Sequence, residues 1–406
     1  MDNEEFIRLH ESDDVRQLAL KAHNVKGIDL TYCLDQIAGR QTARTKLPSW
    51  AAVGEIVYPP HISLEQCSSE QTARYKTTIL DRLTEANNTL SLGHSLFIDL
   101  TGGMGVDFSF MSQGFNSAVY VERQEHLCEY ANHNFRSLNL HNFQVKSEDA
   151  EVFLDECPMA DVIYLDPARR DSNGAKTFAI SDCTPNLLSL LPHLLAKARI
   201  VMVKLSPMLD WRKAVADIGA DHVMEVHIVS VDNECKELLI LLSSAASQVH
   251  PSLYCINLVG SIVSSLIAPL ASSSHCPKFL GAQCQASSSF LYEPNASIMK
   301  AGCFDYLQMQ YEGLMKIAPN SHLFVSSHLV ESFPGRAFRI EAVTTMNKQE
   351  LKQVMKDIDQ ANITVRNFPL TVAELRKRLK VKDGGDVYIF ATTDADNRHL
   401  MYICRK

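Results

Sequence analysis

Phe97-Ile-Asp-Leu-Thr-Gly-Gly-Met-Gly-Val-Asp107 sets the reading of the whole chain. An apolar run meets an acid and a glycine cluster, and an amphipathic run from Val106 to Phe115 follows. That order predicts a strand, a tight turn and a helix. Gly102, Gly103 and Gly105 permit positive φ and carry no side chain, so a ligand can approach the backbone. It then meets the amides that open the next helix. Asp99 falls at the carboxyl end of the strand, where open α/β sheets bind ligands.

Two kinds of nucleotide cofactor suit such a turn. The dinucleotide fingerprint needs a third glycine for close helix packing. Counted from Gly103, Phe108 stands in that place. No phosphate-loop lysine follows either. An acid ahead of the glycines suits a cationic or hydroxyl-bearing ligand better than a pyrophosphate, which points to S-adenosylmethionine. Asp99, Thr101, Gly102, Gly103, Gly105 and Asp107 are the candidate lining of its site. A plain strand-to-helix turn is the alternative.

Outward from this turn, residues 93–245 alternate strand and helix. The strand candidates are Leu96–Leu100, Ala118–Val121, Phe143–Val145, Asp161–Leu165, Ile200–Lys204, His222–Ser230 and Leu238–Leu242. Gln124–Arg136 and Thr184–Lys197 are helix candidates, the second opening on a Thr-Pro cap. Such alternation predicts a doubly wound parallel sheet. Only Asp232–Lys236 separates the last two strands, too short for a parallel crossover, so they form an antiparallel hairpin.

Three further sites face the same edge. Glu122 ends the second strand, about twenty residues past the turn, where a carboxylate can accept from both ribose hydroxyls; a solvated strand end is the alternative. After the third strand, Glu148 and Asp149 are adjacent acids, either able to accept from an adenine amino group, with the Ala150 amide donating to a ring nitrogen. The fourth strand runs into Asp166-Pro167. Proline fixes the chain there and withholds a donor, so Asp166 and nearby carbonyls point into the cleft as acceptors for an amine that receives a methyl group. Arg169, Arg170 and Lys176 follow in a polar loop, as a phosphate clamp or as solvated charges.

At 406 residues the chain is long for one core, and two to four domains are expected. Hydrophobic residues at 46% and charged residues at 21% are ordinary for a soluble globular protein. No apolar run reaches the roughly 20 residues of a membrane span, and the acidic start has no signal-peptide pattern. The 11 cysteines are scattered without zinc spacing, so free thiols in the cytoplasm and no metal are expected. A net charge of −8 argues against non-specific nucleic-acid binding by the whole chain.

Residues 1–92 read as helical. Glu4–His10, Asp13–Ala22 and Leu30–Gly39 show helical spacing, 40–60 reads as irregular, and Ser69 caps a helix running through Lys76, whose polar face either covers the cofactor pocket or is solvated. Between 246 and 334, serine runs at 263–265, 272–274 and 287–289 suggest loops, and Phe290–Gly302 reads as strand, turn and helix, a small α+β domain. From 335 to 406 the reading is strand Ala337–Val343, helix Lys348–Gln360, strand Ile363–Asn367, helix Thr371–Lys380, and a hairpin of Asp386–Thr392 with His399–Cys404. Thr371 and Glu374 make a capping box. Arg366, Arg376, Lys377, Arg378, Lys380 and Lys382 form one dense basic cluster, either a solvated face or a surface for a phosphate backbone.

Asp99-Leu-Thr-Gly-Gly-Met-Gly, Glu122, Asp149-Ala150 and Asp166-Pro167-Ala-Arg-Arg, with the closing hairpin, resemble a class I S-adenosylmethionine-dependent methyltransferase. The whole chain resembles a bacterial group of RNA methyltransferases. Tyr292-Glu-Pro-Asn295, Lys300-Ala-Gly302, Asn367-Phe-Pro369 and Asp383-Gly-Gly-Asp386 carry that wider likeness. The resemblance implies a helical region (1–92), a Rossmann-like seven-stranded catalytic domain (93–245), a ferredoxin-like domain (246–334) and a THUMP-like domain (335–406). It also implies structured RNA, tRNA or rRNA, as substrate, with Arg169, Arg170, Lys377 and Arg378 touching it and Asp166-Pro167 as the catalytic pair. Amine-directed members carry a second proline and an aromatic residue after the acid. Here Ala168 and Arg169 stand there, so Phe178 stacks instead, or arginine covers the base, or the acceptor is not a base amine. Methylation of a protein or small molecule, and a non-catalytic RNA-binding protein that keeps the fold, are the rival readings.

Overall fold

The computed structural model describes residues 2–21, 25–85, 95–168, 180–246, 250–270, 279 and 289–406. Two compact units emerge: 1–226 with 237–251, and 227–236 with 252–406.

In the first unit, α1 (Asn3–His10), α2 (Val15–Lys21), α3 (Leu30–Lys46), α4 (Pro48–Ala51), α5 (His61–Gln66) and α6 (Glu70–Glu85) precede the sheet. Two expectations need correction. Helix α3 does not stop at Gly39, and 40–60 is not irregular throughout, because α3 runs to Lys46 and α4 follows. Gly39 is a packing position: a Cβ there would lie 2.4 Å from Cβ of Tyr58. Trp50, Tyr58, Leu64 and Ala73 bury themselves with Met104, Val106 and Phe110. Helices α3 to α6 therefore share a core with the glycine turn, while α1 and α2 pack on α3 in a cluster of their own around Phe6, Ile7 and Leu18.

The sheet follows with β1 (Leu96–Asp99), α7 (Val106–Met111), β2 (Ser117–Glu122), α8 (Glu125–Ser137), β3 (Phe143–Ser147), α9 (Ala150–Glu156), β4 (Ala160–Leu165), α10 (Leu187–Lys197), β5 (Ala198–Leu205), α11 (Trp211–Ile218), β6 (Val223–Val231) and β7 (Glu234–Leu242). Strand order is β3-β2-β1-β4-β5-β7-β6. β1 pairs in parallel with β2 and β4, and β4 with β5, while β7 runs antiparallel to β5. Every residue of β4 is buried, as a central parallel strand covered on both faces requires. Asp232 and Asn233 turn the hairpin with φ of 49° and 64°, the left-handed pair a two-residue loop needs. The Thr-Pro cap expected for α10 is also corrected. Thr184 exchanges backbone hydrogen bonds with Ala168 at 2.8 and 2.9 Å, and Asn186 caps the helix two residues later.

The second unit contains β8 (Ser252–Val259) and β9 (Ile262–Pro269), an antiparallel pair. The serines expected in a loop at 263–265 sit inside β9, beside a partner strand that supplies their backbone hydrogen bonds; 272–274 and 287–288 lie outside the described residues. Then come β10 (Phe290–Pro294), α12 (Ala296–Ala301), α13 (Phe304–Gln310), β11 (Met315–Lys316), β12 (Phe324–Ser326), β13 (Gly335–Thr344), α14 (Lys348–Val354), β14 (Asn362–Arg366), α15 (Val372–Leu379), β15 (Val387–Thr393) and β16 (His399–Arg405). β10 to β16 form one sheet in the order β11-β12-β10-β13-β16-β15-β14, so segments 290–334 and 335–406 share backbone pairing. Helix α14 ends at Val354, short of Gln360. The chain there must extend to exchange hydrogen bonds between Asp359, Ala361 and Lys382, at 2.9 and 3.0 Å.

Candidate active site

β1 ends at the middle of the sheet and gives way to the glycine turn. Gly103 and Gly105 have φ of 54° and 82°, left-handed values that glycine adopts without penalty. The three glycines have different jobs. A Cβ on Gly102 would stand 2.0 Å from the Tyr120 ring, and one on Gly105 2.6 Å from the Phe135 ring. Those two let the turn press onto buried aromatics. At Gly103 the nearest atom would be the Thr101 carbonyl at 3.9 Å, so that face of the turn is open to a ligand.

Hydrogen bonds stitch the strand ends together. The Thr101 amide donates to Asp99 Oδ1 at 3.0 Å, and the Asp166 amide donates to Thr101 Oγ1 at 2.7 Å. Glu122 Oε2 accepts from the Gly103 amide and Oε1 from the Gln124 amide, each at 3.0 Å. The Tyr120 hydroxyl donates to the Gly103 carbonyl. Asp149 is exposed and caps α9, taking the Glu151 amide at 3.0 Å, while Ala150 is buried. Asp99, Thr101, the glycines, Glu122 and Asp166 thus gather at one carboxyl edge. Burial pushes the Asp99 carboxyl well above the usual carboxylate range; Asp107, Asp166 and Glu122 push the same way, and the Thr101 amide only partly offsets them.

Asp107 departs from expectation. Its carboxylate turns into the unit instead of lining the turn. It accepts from Ser68 Oγ and the Tyr164 hydroxyl, each at 2.7 Å, and pairs with Lys76 Nζ at 3.1 Å and Lys204 Nζ at 3.7 Å. Burial disfavours its charge, yet the two lysines win and hold the carboxyl below its usual range. It is a hub of the interior charges.

Sequence reasoning missed the partners. Lys204, next to the end of β5, has Nζ 2.6 Å from Asp166 Oδ2. Lys76 of α6 is fully buried, 2.8 Å from Glu237 Oε2 on β7. Burial opposes the Lys204 charge, but Asp166, Asp107 and Glu237 outweigh it and raise its affinity for the proton. A signal existed: Lys204 interrupts the apolar run of β5 and Glu237 stands directly before that of β7, and unpaired charges are seldom buried. Arg169, Arg170, Lys176 and Phe178 lie outside the described residues.

In the second unit α15 carries both halves of its Thr371–Glu374 capping box. Lys377, Arg378 and Lys380 are exposed. Two members of the expected cluster are tied up instead: Arg376 bonds Asp383 at 2.5 Å, and Arg366 bonds the buried Glu293 at 3.1 Å. Among the described residues there is no helix long and apolar enough to cross a membrane, and no His, Cys, Asp and Glu cluster that could hold a metal.

A cationic nucleoside fits what the cleft offers. The ground over Gly103 is open, turn amides are at hand, and Glu122 and Asp166 stand with Asp99 at the same edge as oxygen acceptors.

A THUMP domain-like family profile matches residues 335–406, and a ferredoxin-like domain profile matches 290–334. A crystal structure from Porphyromonas gingivalis, solved as a "putative methyltransferase", is 30% identical; the alignment covers 100% of this chain and 97% of that one, with a TM-score of 0.81. An S-adenosylmethionine-dependent methyltransferase from Agrobacterium tumefaciens is 15% identical over 44% of this chain and 63% of its own, with a TM-score of 0.32. An rRNA methylase from Streptococcus thermophilus is 12% identical over 42% and 93%, with a TM-score of 0.30. Neither of these two bears on the substrate. No curated protein matches the chain.

Proposed function

We propose an RNA substrate from one premise: the chain belongs to the class I S-adenosylmethionine-dependent methyltransferases, in the bacterial group with a THUMP-like C-terminal region. The reaction is methyl transfer to a nucleotide of structured RNA, tRNA or rRNA. The observation that carries this reading is the capped helix α15, which holds Lys377, Arg378 and Lys380 out to solvent inside the THUMP-like region. Each such cation can neutralise one phosphate. An exposed triad with no acid partner among the described residues suits a polyanion better than a small neutral substrate.

The cofactor supplies an electrophilic methyl group on a positively charged sulfur. Asp99 and Glu122 hold it as acceptors. Glu122 already takes two amides, and a carboxylate has about four acceptor positions, which leaves room for ribose hydroxyls. Thr101, Gly102, Gly103 and Gly105 shape the turn it rests on, and Asp149 with the Ala150 amide receives the adenine. Asp166 and Pro167 orient the acceptor. In-line displacement gains most from alignment, and the Thr101–Asp166 tether fixes the acceptor side against the cofactor side. Arg169 and Arg170 clamp a substrate phosphate.

Incubating the full chain with methyl-labelled cofactor and cell extract, then separating RNA, protein and small molecules, tests the proposal. Label in RNA is expected. Label confined to the protein or small-molecule fraction overturns it.

A further inference from the structure

The geometry points to a hydroxyl as the methyl acceptor, the ribose 2′-hydroxyl of RNA, with Lys204 as the catalytic residue that meets it. This rests on the RNA reading above and narrows it to one atom.

Lys204 Nζ sits 2.6 Å from Asp166 Oδ2 and 3.7 Å from Asp107 Oδ2. Its side chain is 12% exposed, at the point where that of Asp166 opens to 38%. Behind it, Lys76 is fully buried between Asp107 at 3.1 Å and Glu237 at 2.8 Å. Two lysines and three carboxylates thus run from the interior strand β7 out to the cleft. Buried ion pairs seldom add net stability, because desolvation offsets their attraction. A chain of them ending at the acidic group of the acceptor site is better explained by chemistry.

That chemistry suits oxygen. An amine acceptor keeps a nucleophilic lone pair and needs only acceptors for its N–H groups. An ammonium beside it occupies one Asp166 oxygen and opposes the positive charge an attacking nitrogen gains. A hydroxyl is a weak nucleophile whose oxygen must grow more negative, and a fixed cation stabilises that growth. A lysine has three donors; Asp166 takes one, and another can reach the acceptor oxygen. As the new C–O bond forms, the C–S bond breaks and its electron pair stays on sulfur. The hydroxyl proton passes to Asp166 Oδ1 and on to solvent. The position next to Pro167 also fails to present a stacking ring for a base. Ala168 stands there, with both backbone groups bonded to Thr184.

The test uses the full wild-type chain, labelled cofactor, and total RNA from cells lacking the gene. The labelled RNA is then digested with alkali, which cannot cleave the phosphodiester beside a 2′-O-methyl group. Label in alkali-resistant dinucleotides is expected. Label in mononucleotides places the methyl on a base and overturns the inference while the RNA reading stands; no label in RNA overturns the RNA reading itself. Lys204→Met should lower labelling by about 100-fold or more, and Lys204→Arg should recover part of it. Calorimetric affinity of Lys204→Met for S-adenosylhomocysteine should stay within about threefold of wild type, with the melting transition retained. If Lys204→Met loses that affinity or unfolds, and Lys204→Arg labels as well as wild type, the lysine is structural and its catalytic assignment falls.

Discussion

Two charged regions of this chain contrast sharply. Around Asp107 the charges are buried or half-buried and both lysines face acids: Lys76 has Asp107 and Glu237, and Lys204 has Asp166 and Asp107. On α15, Lys377, Arg378 and Lys380 stand in solvent. Charges taken out of water must be paired and hold fixed positions, which is what a reaction centre needs. Charges left in water cost little, move freely and attract polyanions over a range set by salt. In the proposed function the first region places atoms and the second gathers a substrate.

The largest expected effect breaks the first region at its cleft end. Asp166→Ala should lower the transfer rate by about 100- to 10,000-fold while cofactor affinity stays within about tenfold, or about 1.4 kcal/mol. Equal loss of both, in rate assays beside calorimetry, would mean that Asp166 mainly holds the cofactor.

Next is the hub. Asp107→Asn leaves Lys76 and Lys204 short of a partner, and breaking a buried pair typically removes about 3–5 kcal/mol of stability, read by denaturant unfolding. The wild type should also show an acid limb. The Asp107 carboxyl lies below its usual range when folded, so its contribution is complete above about pH 4, the unfolded value, and is lost as pH falls further. The Asn variant should lack that limb. A loss under about 1 kcal/mol would show that the hub is as screened as a surface pair.

The exposed region should respond through binding alone. Lys377→Glu with Arg378→Glu should flatten the dependence of log RNA affinity on log salt by about 0.7–0.9 per lost phosphate contact, with thermal stability little changed. An unaltered slope would remove α15 from the RNA surface.

The smallest effect has the opposite sign. Burial and neighbouring acids raise the Asp99 carboxyl well above its usual range. Ionising it in the folded protein is therefore unfavourable, and stability falls as pH rises past about 4, the unfolded value. Asp99→Asn should stabilise the cofactor-free chain by about 0.5–2 kcal/mol, as relieving a functional-site strain commonly does, and weaken cofactor binding. A variant no more stable than wild type at neutral pH would show that the carboxyl is already relieved.

Legibility in the sequence followed locality. The glycine turn, the strand succession, the hairpin across Asp232–Lys236 and the Thr371–Glu374 box each lie within a short window, so spacing alone reveals them. The helix beyond Gly39 was hidden because that glycine mimics a stop signal, and only contact with Tyr58 shows that it serves packing. The run past Val354 keeps a helical pattern, but pairing with Lys382 pulls it straight. Lys76, Asp107, Lys204 and Glu237 come from four separate elements, and nothing local announces that they meet. The exposed cations of α15 were visible as a run, though their neighbour Arg376 proved to be paired with Asp383.

A crystal structure of the full chain with S-adenosylhomocysteine tests the central claim most directly. The account predicts ligand density lying over Gly103, with ribose oxygens within hydrogen-bond distance of Glu122 and the sulfur facing Asp166. Density at any other place, with the ground over Gly103 filled by protein side chains, would contradict it.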